Sequence, residues 1–156
     1  MNVFVFGDSE EKIGRAIKGH RDKLVIATKS SPSTPELMVE CIDQSLKRLQ
    51  IDSIDLYQFH AIKDDESLKK ATDLIPVLEK AMKQGKIHHI GATVHGVDFI
   101  DSVLEIEVFE TVMIALNFIV CEAEITLPNA INRDIGVIAM KPLAGGHIED
   151  AHLAFK

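Results

Sequence analysis

The 156-residue sequence lacks several features that define common functional classes. It has no apolar run near the roughly 18 residues that cross a bilayer, so no membrane-spanning helix is predicted. It has no Lys/Arg-rich run and its net charge is −7, so nucleic acid is not expected to be a partner. The first residues lack a basic region and a small-residue cleavage site, so we expect no signal peptide and a cytoplasmic location.

Cysteine is scarce as well. Cys41 and Cys121 are far apart in the chain, and each has apolar neighbours. We interpret them as two buried free thiols of a protein in a reducing compartment. The sequence has no Cys-x-x-Cys pair and no His/Cys cluster, and the adjacent His88 and His89 would point to opposite faces of a strand. No metal site is therefore predicted.

The sequence does have the composition of a folded globular protein. It is 46% hydrophobic and 26% charged, and at this length we expect one domain covering residues 1–156. Short β-prone runs alternate with helical patterns along the chain, without a low-complexity linker. The runs are residues 2–6, 24–29, 54–60, 87–93, 112–118 and 135–141.

The first helix signal follows the first β-prone run. Asp8 and Glu11 have the spacing of a capping box, in which two side chains satisfy free N–H groups at a helix start. Ile13, Ala16 and Ile17 follow at helical spacing and predict the buried face of this helix.

Further helices are predicted from Thr34 onward and over residues 73–84, 97–106 and 122–132. In the range 73–84, Pro76 would lie in the first turn, where a proline is tolerated. Strands that alternate with helices imply parallel pairing and right-handed crossovers. Six such units leave two architectures open: an open or doubly wound sheet complete in itself, or part of an eight-stranded barrel, which typically needs about 250 residues.

Two β-prone runs end abruptly in a titratable residue, Lys29 in one case and His60 in the other. In a parallel α/β barrel, the carboxyl ends of the strands face a common mouth where the chemistry takes place. We therefore expect Lys29 and His60 to meet at one site.

Six segments together resemble one known family, in the same order along the chain. They are GDSEEKIG (7–14), ATK (27–29), SLKRL (45–49), IDLYQFH (54–60), QGKIHHIG (84–91) and IGVIAMKPLAGG (135–146). Each is weak alone, but the ordered set resembles the aldo-keto reductases over residues 7–146. The last segment is most similar to the bacterial and archaeal branch whose longer members carry an iron–sulfur tail; we expect no cluster here.

The resemblance implies an α/β fold: a partial (β/α)8 barrel of about six parallel βα units, its strands two to seven. It also implies hydride transfer between NADP(H) or NAD(H) and a small carbonyl or alcohol. In that family a Tyr hydroxyl protonates the carbonyl oxygen, a neighbouring Lys lowers the pKa of the Tyr, and a His orients the carbonyl. A phenol with a pKa near 10 needs such a cation to act at neutral pH.

Lys29 and His60 fall on the Lys and His positions of this resemblance. The Tyr position is Phe6, and the Asp that pairs with the Lys is replaced by Met1. General acid catalysis commonly contributes about 10² to 10⁴ in rate, so we expect impaired carbonyl reduction.

The positions that the resemblance assigns to the cofactor are Thr93, Asn117, Met140, Lys141 and Leu143. The alternative is a catalytically inactive fragment that binds a nucleotide weakly or associates with itself. Edge strands near residues 2–6 and 135–141 would expose unpaired N–H and C=O groups, which favours self-association.

Overall fold

The computed structural model describes residues 7–146 and contains one parallel sheet with helices between its strands. The strands, in chain order and also in sheet order, are β1 (Ala27–Ser30), β2 (Ile54–Ile62), β3 (Ile87–Val94), β4 (Thr111–Ala115) and β5 (Gly136–Met140). The helices are α1 (Ser9–Ala16), α2 (Pro35–Leu49), α3 (Asp65–Lys83), α4 (Ile100–Leu104) and α5 (Leu127–Asn132).

Five of the six predicted strands are confirmed in these residues, and the predicted run 2–6 lies outside them. The predicted bounds were too wide at β1, which begins at Ala27, and at β4, which ends at Ala115. Beyond β4 the chain turns at Asn117, whose N–H donates to the Val120 carbonyl at 3.0 Å. A local turn therefore replaces the last predicted residues of that strand.

The start of α1 differs from its prediction. Asp8 is the N-cap residue but makes no capping hydrogen bond with its side chain. Its carboxylate instead pairs with Lys12 Nζ at 2.8 Å. The capping box of Asp8 and Glu11 was therefore wrong, although the helix begins at the predicted place.

The buried face of α1 was also partly wrong. Ile17 is buried as predicted, but Ile13 is 42% exposed and Ala16 is exposed too. Gly14 faces the protein instead, because a Cβ at this position would lie 2.5 Å from the carbonyl oxygen of Leu49 at the end of α2. The lack of a side chain at Gly14 is what allows α1 to pack this closely on α2.

Helix α2 begins as predicted: the Thr34 hydroxyl accepts from the Leu37 N–H at 3.3 Å and Pro35 occupies the first turn. Helix α3 begins eight residues before its prediction, so Pro76 lies inside it rather than in its first turn. The early start has a local cause. Ser67 N–H donates to Asp64 Oδ1 at 2.8 Å while Ser67 Oγ accepts from the Asp64 N–H at 3.1 Å, which is a reciprocal cap.

The described residues pack as two compact units. Residues 7–57 and 74–89 form the first unit, and residues 58–73 and 90–146 form the second. The expectation of a single domain stays a prediction.

The first unit combines an apolar core with long-range polar contacts. Its side chains with at most 2% exposure are those of Met38, Ile42, Leu49, Ile54, Tyr57, Leu74, Leu78 and Ile87. Arg21 contacts Asp55 Oδ2 at 2.8 Å and donates to the Leu24 and Ser53 carbonyls at 2.9 Å each. One arginine therefore joins the segment before β1 to the start of β2.

The second unit buries aromatic side chains together with several polar ones. Phe59 and Phe109 meet edge to face, with ring centroids 6.3 Å apart. Two buried polar atoms in this unit, Gln58 Nε2 and Thr111 Oγ1, have no hydrogen-bond partner among the described residues. Both residues adjoin Gly91, where a Cβ would collide with the Thr111 hydroxyl.

The two thiols are free, but the prediction that both are buried was wrong. Cys121 is exposed and Cys41 is half-buried. Burial raises the pKa of the Cys41 thiol.

None of the described helices is both long enough and apolar enough to cross a membrane. No group of three or more His, Cys, Asp or Glu in residues 7–146 is arranged to hold a metal ion.

Candidate active site

The predicted site residues lie at or just after the carboxyl ends of the strands. In the first unit, Lys29 lies near the end of β1. In the second unit, His60 lies near the end of β2, Thr93 near the end of β3, and Asn117 follows β4. Met140 ends β5 and precedes Lys141 and Leu143. Phe6 and Met1 lie outside the described residues, and the meeting of Lys29 with His60 stays a prediction.

His60 is half-buried and contacts a second histidine. Its ring lies edge to face with the ring of His95, with centroids 6.0 Å apart and planes at 84°. The next residue, Ala61, has a φ of +65°. A left-handed conformation costs a residue with a Cβ roughly 1–2 kcal/mol. The strand is therefore bent immediately after the candidate histidine, and neighbouring contacts have to stabilise the bend.

Thr93 supplies one of those contacts. Its side chain is completely buried, and its Oγ1 accepts a hydrogen bond from the Ala61 N–H at 2.7 Å. The hydroxyl thus satisfies the main chain of β2 next to His60. A contact between Thr93 and a nicotinamide carboxamide stays a prediction.

Asn117 is also engaged with the main chain. Its Oδ1 accepts from the Ile119 and Val120 N–H groups at 2.9 Å each, and its Nδ2 donates to the Lys141 carbonyl at 3.0 Å. This side chain shapes the loop after β4 and ties it to the end of β5. One N–H of the carboxamide is left over after these bonds.

The chain after β5 forms a tight turn with several left-handed residues. Lys141 has a φ of +55° and Ala144 a φ of +50°, and Gly145 and Gly146 follow at +70° and +98°. Met140 is half-buried, whereas Lys141 and Leu143 are exposed, Leu143 at 60%. The predicted turn at the two glycines is confirmed, and the two exposed side chains are accessible to a ligand.

Polar contacts flank Lys29 on both sides. Thr28 Oγ1 donates to Glu10 Oε1 at 2.6 Å, and the Ser30 hydroxyl lies 2.7 Å from the Tyr57 hydroxyl. Burial acts to raise the pKa of Glu10, but hydrogen bonds from Thr28 and Arg48 outweigh it and hold the pKa below its usual value. The strand that carries Lys29 is thereby fixed to both neighbouring elements.

Tyr57 is the one tyrosine of the sequence, and it is completely buried. Burial raises the pKa of its hydroxyl well above the ordinary value of 10. A phenol that is buried and this weakly acidic is a poor proton donor to a substrate. Tyr57 is therefore not a candidate proton donor of the site.

A cavity of about 930 Å³ lies elsewhere in the first unit. It is lined by residues around 18–25 and 50–55, which precede β1 and β2, and none of the predicted site residues lines it. Chemistry on parallel α/β barrels takes place at the carboxyl ends of the strands. We therefore do not assign this cavity to the candidate site.

Comparisons with known proteins identify the family. The sequence profile of the Aldo/keto reductase family matches residues 2–153. Aldo-keto reductase YhdN of Bacillus subtilis is 31% identical over 92% of this chain and 46% of its own length. Aldo-keto reductase yakc [NADP(+)] of Schizosaccharomyces pombe is 36% identical over 58% of this chain and 30% of its own. L-galactose dehydrogenase of Arabidopsis thaliana is 29% identical over 88% of this chain and 48% of its own length.

Solved structures agree with the sequences. The holo form of aldo-keto reductase AKR11C1 from Bacillus halodurans has a TM-score of 0.78 at 25% identity, covering 88% of this chain and 49% of that one. An aldo/keto reductase from Klebsiella pneumoniae in complex with NADP and acetate has a TM-score of 0.76 at 27% identity, covering 91% of this chain and 51% of that one.

The chain belongs to the aldo/keto reductase family, whose members are oxidoreductases. Its five parallel strands and alternating helices are part of the barrel of that family, which resolves the two architectures left open by the strand count. The chain spans about half the length of the curated relatives that match most of it, 46% of one and 48% of another.

Two residues next to the predicted site were not expected to take part in it. They are His95, which directly follows β3, and Ala61, which directly follows His60. His95 could have been predicted, because it is a titratable residue just after a β-prone run. Lys29 and His60 are titratable residues that end two other such runs. Ala61 could not have been predicted, because its conformation depends on a hydrogen bond with a neighbouring strand.

Proposed function

We propose that this chain contributes the site of an NAD(P)H-dependent oxidoreductase that interconverts small carbonyls and alcohols. The observation that carries the proposal is the position of His60 near the carboxyl end of β2, held by Thr93 through Ala61 and in contact with His95. The family assignment supports the same reaction class.

In this proposal the ring of His60 donates a hydrogen bond that orients the substrate carbonyl. Lys29 provides the positive charge that would favour the anion of a neighbouring acid. Phe6 contributes an aromatic surface without a proton. Since general acid catalysis commonly supplies about 10² to 10⁴ in rate, we propose that carbonyl reduction by this chain is impaired.

The residues after β4 and β5 fit the nicotinamide end of a dinucleotide. Met140 and Leu143 offer apolar surface, Asn117 has one unused N–H, and Lys141 offers an exposed cation. When bound, the cofactor supplies the hydride. The relative named yakc [NADP(+)] and the Klebsiella structure with NADP support NADP(H) over NAD(H).

The test restores the missing hydroxyl. We expect the unmodified chain to reduce a panel of small aldehydes far more slowly than the roughly 10 per second typical of enzymes. Phe6→Tyr should raise the NADPH-dependent rate by at least about 10-fold, because it returns a proton donor to the site.

The matched control is Phe6→Tyr combined with Lys29→Met, which should lose the gain because the cation is absent. A rate typical of enzymes in the unmodified chain would contradict the proposed impairment. An unchanged rate in Phe6→Tyr, together with no binding of NADPH or NADH by calorimetry, would contradict the proposed function.

A specific observation favours a second candidate function, an inactive fragment that associates with itself. In the first unit, Val25 directly precedes β1, the first strand of the sheet within residues 7–146, and is 81% exposed, and Leu24 beside it is 43% exposed. Parallel strands are normally covered on both faces, and exposed apolar surface promotes association. We propose a second copy of this chain as the partner.

Sedimentation velocity over a wide concentration range tests this association. We expect concentration-dependent oligomers, and we expect Val25→Lys to shift the chain toward monomer because it replaces exposed apolar surface with a charge. Leu37→Lys is the matched control, since Leu37 is also a partly exposed apolar residue, at 41%, but lies in α2. A monodisperse monomer at all concentrations would exclude the proposal.

We also propose that the protein works in the cytoplasm, since its two thiols are free. The net charge of −7 leaves nucleic acid outside the partners that we propose.

A further inference from the structure

His95 directly follows β3 and stands against the histidine of the candidate site. The two rings are 6.0 Å apart between centroids and nearly perpendicular, at 84°. Perpendicular packing suits aromatic rings because the positive edge of one ring meets the negative face of the other. The contact therefore restricts which direction the His60 ring takes.

The main chain around both histidines is fixed by two hydrogen bonds. The His95 N–H donates to the Ile62 carbonyl at 2.8 Å, and the Ala61 N–H donates to Thr93 Oγ1 at 2.7 Å. The backbone on the carboxyl side of His60 is thus tied to β3 just before and just at His95. A ring placed on this backbone at position 95 has a defined position relative to His60.

The turn after His95 is also closely packed. A Cβ on Gly96 would lie 3.3 Å from the Phe99 ring and 3.6 Å from the Lys63 carbonyl oxygen. This leaves the backbone at position 96 little room to shift. His95 is therefore attached to the sheet on one side and to a tight turn on the other.

We propose that His95 is a positioning residue, whose ring holds the imidazole of His60 in the direction that a substrate carbonyl requires. The catalytic role of this contact rests on the proposed function, whereas the contact between the two rings does not. Hydrogen bonds of the backbone do not by themselves set the two side-chain dihedral angles of a histidine. Small errors in the placement of a catalytic group lower the reaction rate. A neighbouring ring that blocks other rotamers of His60 would therefore favour the reaction.

The proposal makes a chemical distinction that can be tested. Holding the ring requires an aromatic surface at position 95, and it does not require a titrating group. His95→Phe should preserve the direction of His60, whereas His95→Ala and His95→Gln should release it. A residue that served only the stability of the turn would give no such pattern.

The measurement is NMR of the full chain labelled on its histidine rings, with each resonance assigned by single substitutions. We expect the His60 ring resonances to move in His95→Ala and in His95→Gln by more than those of any other histidine and by more than the lost ring current of residue 95 accounts for, and to return near their original positions in His95→Phe. A shift that equals the lost ring current would overturn the proposal. His88→Ala is the matched control, because His88 is an exposed histidine at the start of the same strand. Unchanged His60 resonances in both non-aromatic variants would overturn the proposal.

A second readout uses the chain with Phe6→Tyr as its background. There, His95→Ala should lower kcat by about 10- to 100-fold with little change in KM, and His95→Phe should restore it. The two readouts separate the two proposals. Moved and rescued His60 resonances without any carbonyl reduction would support the positioning contact and count against the proposed function alone. Reduction that is indifferent to position 95 would overturn the positioning role.

Discussion

The two units of this chain differ in whether some of their buried polar groups have a partner. In the first unit, Glu10 joins α1 to two other elements: it accepts from Thr28 in β1 and from Arg48 in α2, both at 2.6 Å. In the second unit, Gln58 and Thr111 each keep a buried polar atom without a partner among residues 7–146. Unsatisfied buried groups cost free energy, whereas paired ones fix neighbouring elements to each other.

Both units have ion pairs between residues distant in sequence, but those of the first unit are shorter. Lys86 and Asp43 are 2.6 Å apart in the first unit, whereas Arg133 and Glu105 are 3.8 Å apart in the second. Another pair of the second unit, Lys69 with Asp73, lies within one helix turn on the surface of α3. The comparison teaches that polar contacts connect elements in both units, with closer ion pairs in the first.

The largest expected effect concerns the closest helix contact of the first unit. In Gly14→Ala the new Cβ would lie within 2.8 Å of carbonyl oxygens of both Arg48 and Leu49, which are backbone atoms and cannot rotate away. We expect a loss near the upper end of the usual 1–3 kcal/mol for overpacking, measured by urea denaturation.

The matched control for that variant is Gly7→Ala, since a Cβ on Gly7 would have no atom within 4 Å. Its effect should stay within about 0.5 kcal/mol. If both variants were equally stable, the close approach of α1 to α2 would be refuted.

The next effect concerns the carboxylate at the centre of the first unit's network. Glu10→Gln should lower the free energy of unfolding at neutral pH by about 2 kcal/mol, because hydrogen bonds to a charged group are lost. The exposed neighbour Glu11, changed to Gln, is the control and should have little effect.

The same carboxylate predicts a pH dependence with a definite sign. Since the folded pKa of Glu10 lies below its usual 4.5, its stabilisation is fully present above pH 4.5 and is lost as the pH falls through the folded pKa. The unfolding free energy of the unmodified chain should therefore fall more steeply below pH 4.5 than that of Glu10→Gln. Parallel curves for the two chains would contradict the lowered pKa.

A smaller effect of opposite sign is expected in the second unit. Thr111→Val removes a buried hydroxyl without a partner and keeps the shape, so it should stabilise the chain by about 1 kcal/mol. The matched control is Thr126→Val, because the buried Thr126 hydroxyl donates to the Ala123 carbonyl at 2.7 Å. That variant should destabilise the chain by about 1 kcal/mol. Destabilisation by both would mean that the Thr111 hydroxyl is satisfied.

The smallest effect compares two ion pairs of equal length. Lys86 with Asp43 and Lys69 with Asp73 both have an N···O distance of 2.6 Å, but the second pair is more exposed, at 76% and 60%. Double-mutant cycles should give about 0.3–0.5 kcal/mol for the helix pair and up to about 1 kcal/mol for the long-range pair. A larger coupling energy for Lys69 with Asp73 than for Lys86 with Asp43 would contradict the expected effect of exposure.

The order of strands and helices was predictable because it depends on local patterns. The β-prone runs and the Thr34 cap depend on a few neighbouring residues. The early start of α3 also has a local signal, because Asp64 and Ser67 form a cap, but the helix was predicted only from residue 73. The face of α1 could not be read from hydrophobicity, since the contact that decides it is a glycine against the main chain of α2.

The contacts of the candidate site residues could not be predicted from the sequence, and their role stays a prediction. The end of a β-prone run indicated His60, and the resemblance indicated Thr93 and Asn117. The bonds that these side chains make depend on elements brought together only by folding, such as the Ala61 N–H for Thr93 and the Lys141 carbonyl for Asn117. No local pattern predicts that a candidate ligand-binding side chain already serves the main chain.

The burial of Tyr57 gives this chain an optical asymmetry. The sequence has no tryptophan and one tyrosine, and that tyrosine lies inside the first unit with its hydroxyl 2.7 Å from Ser30, the residue after Lys29. Intrinsic fluorescence and ultraviolet absorbance of the phenol therefore report on the first unit alone. Compared with far-ultraviolet circular dichroism, which reports on helices in both units, this single chromophore reveals whether the two units unfold together.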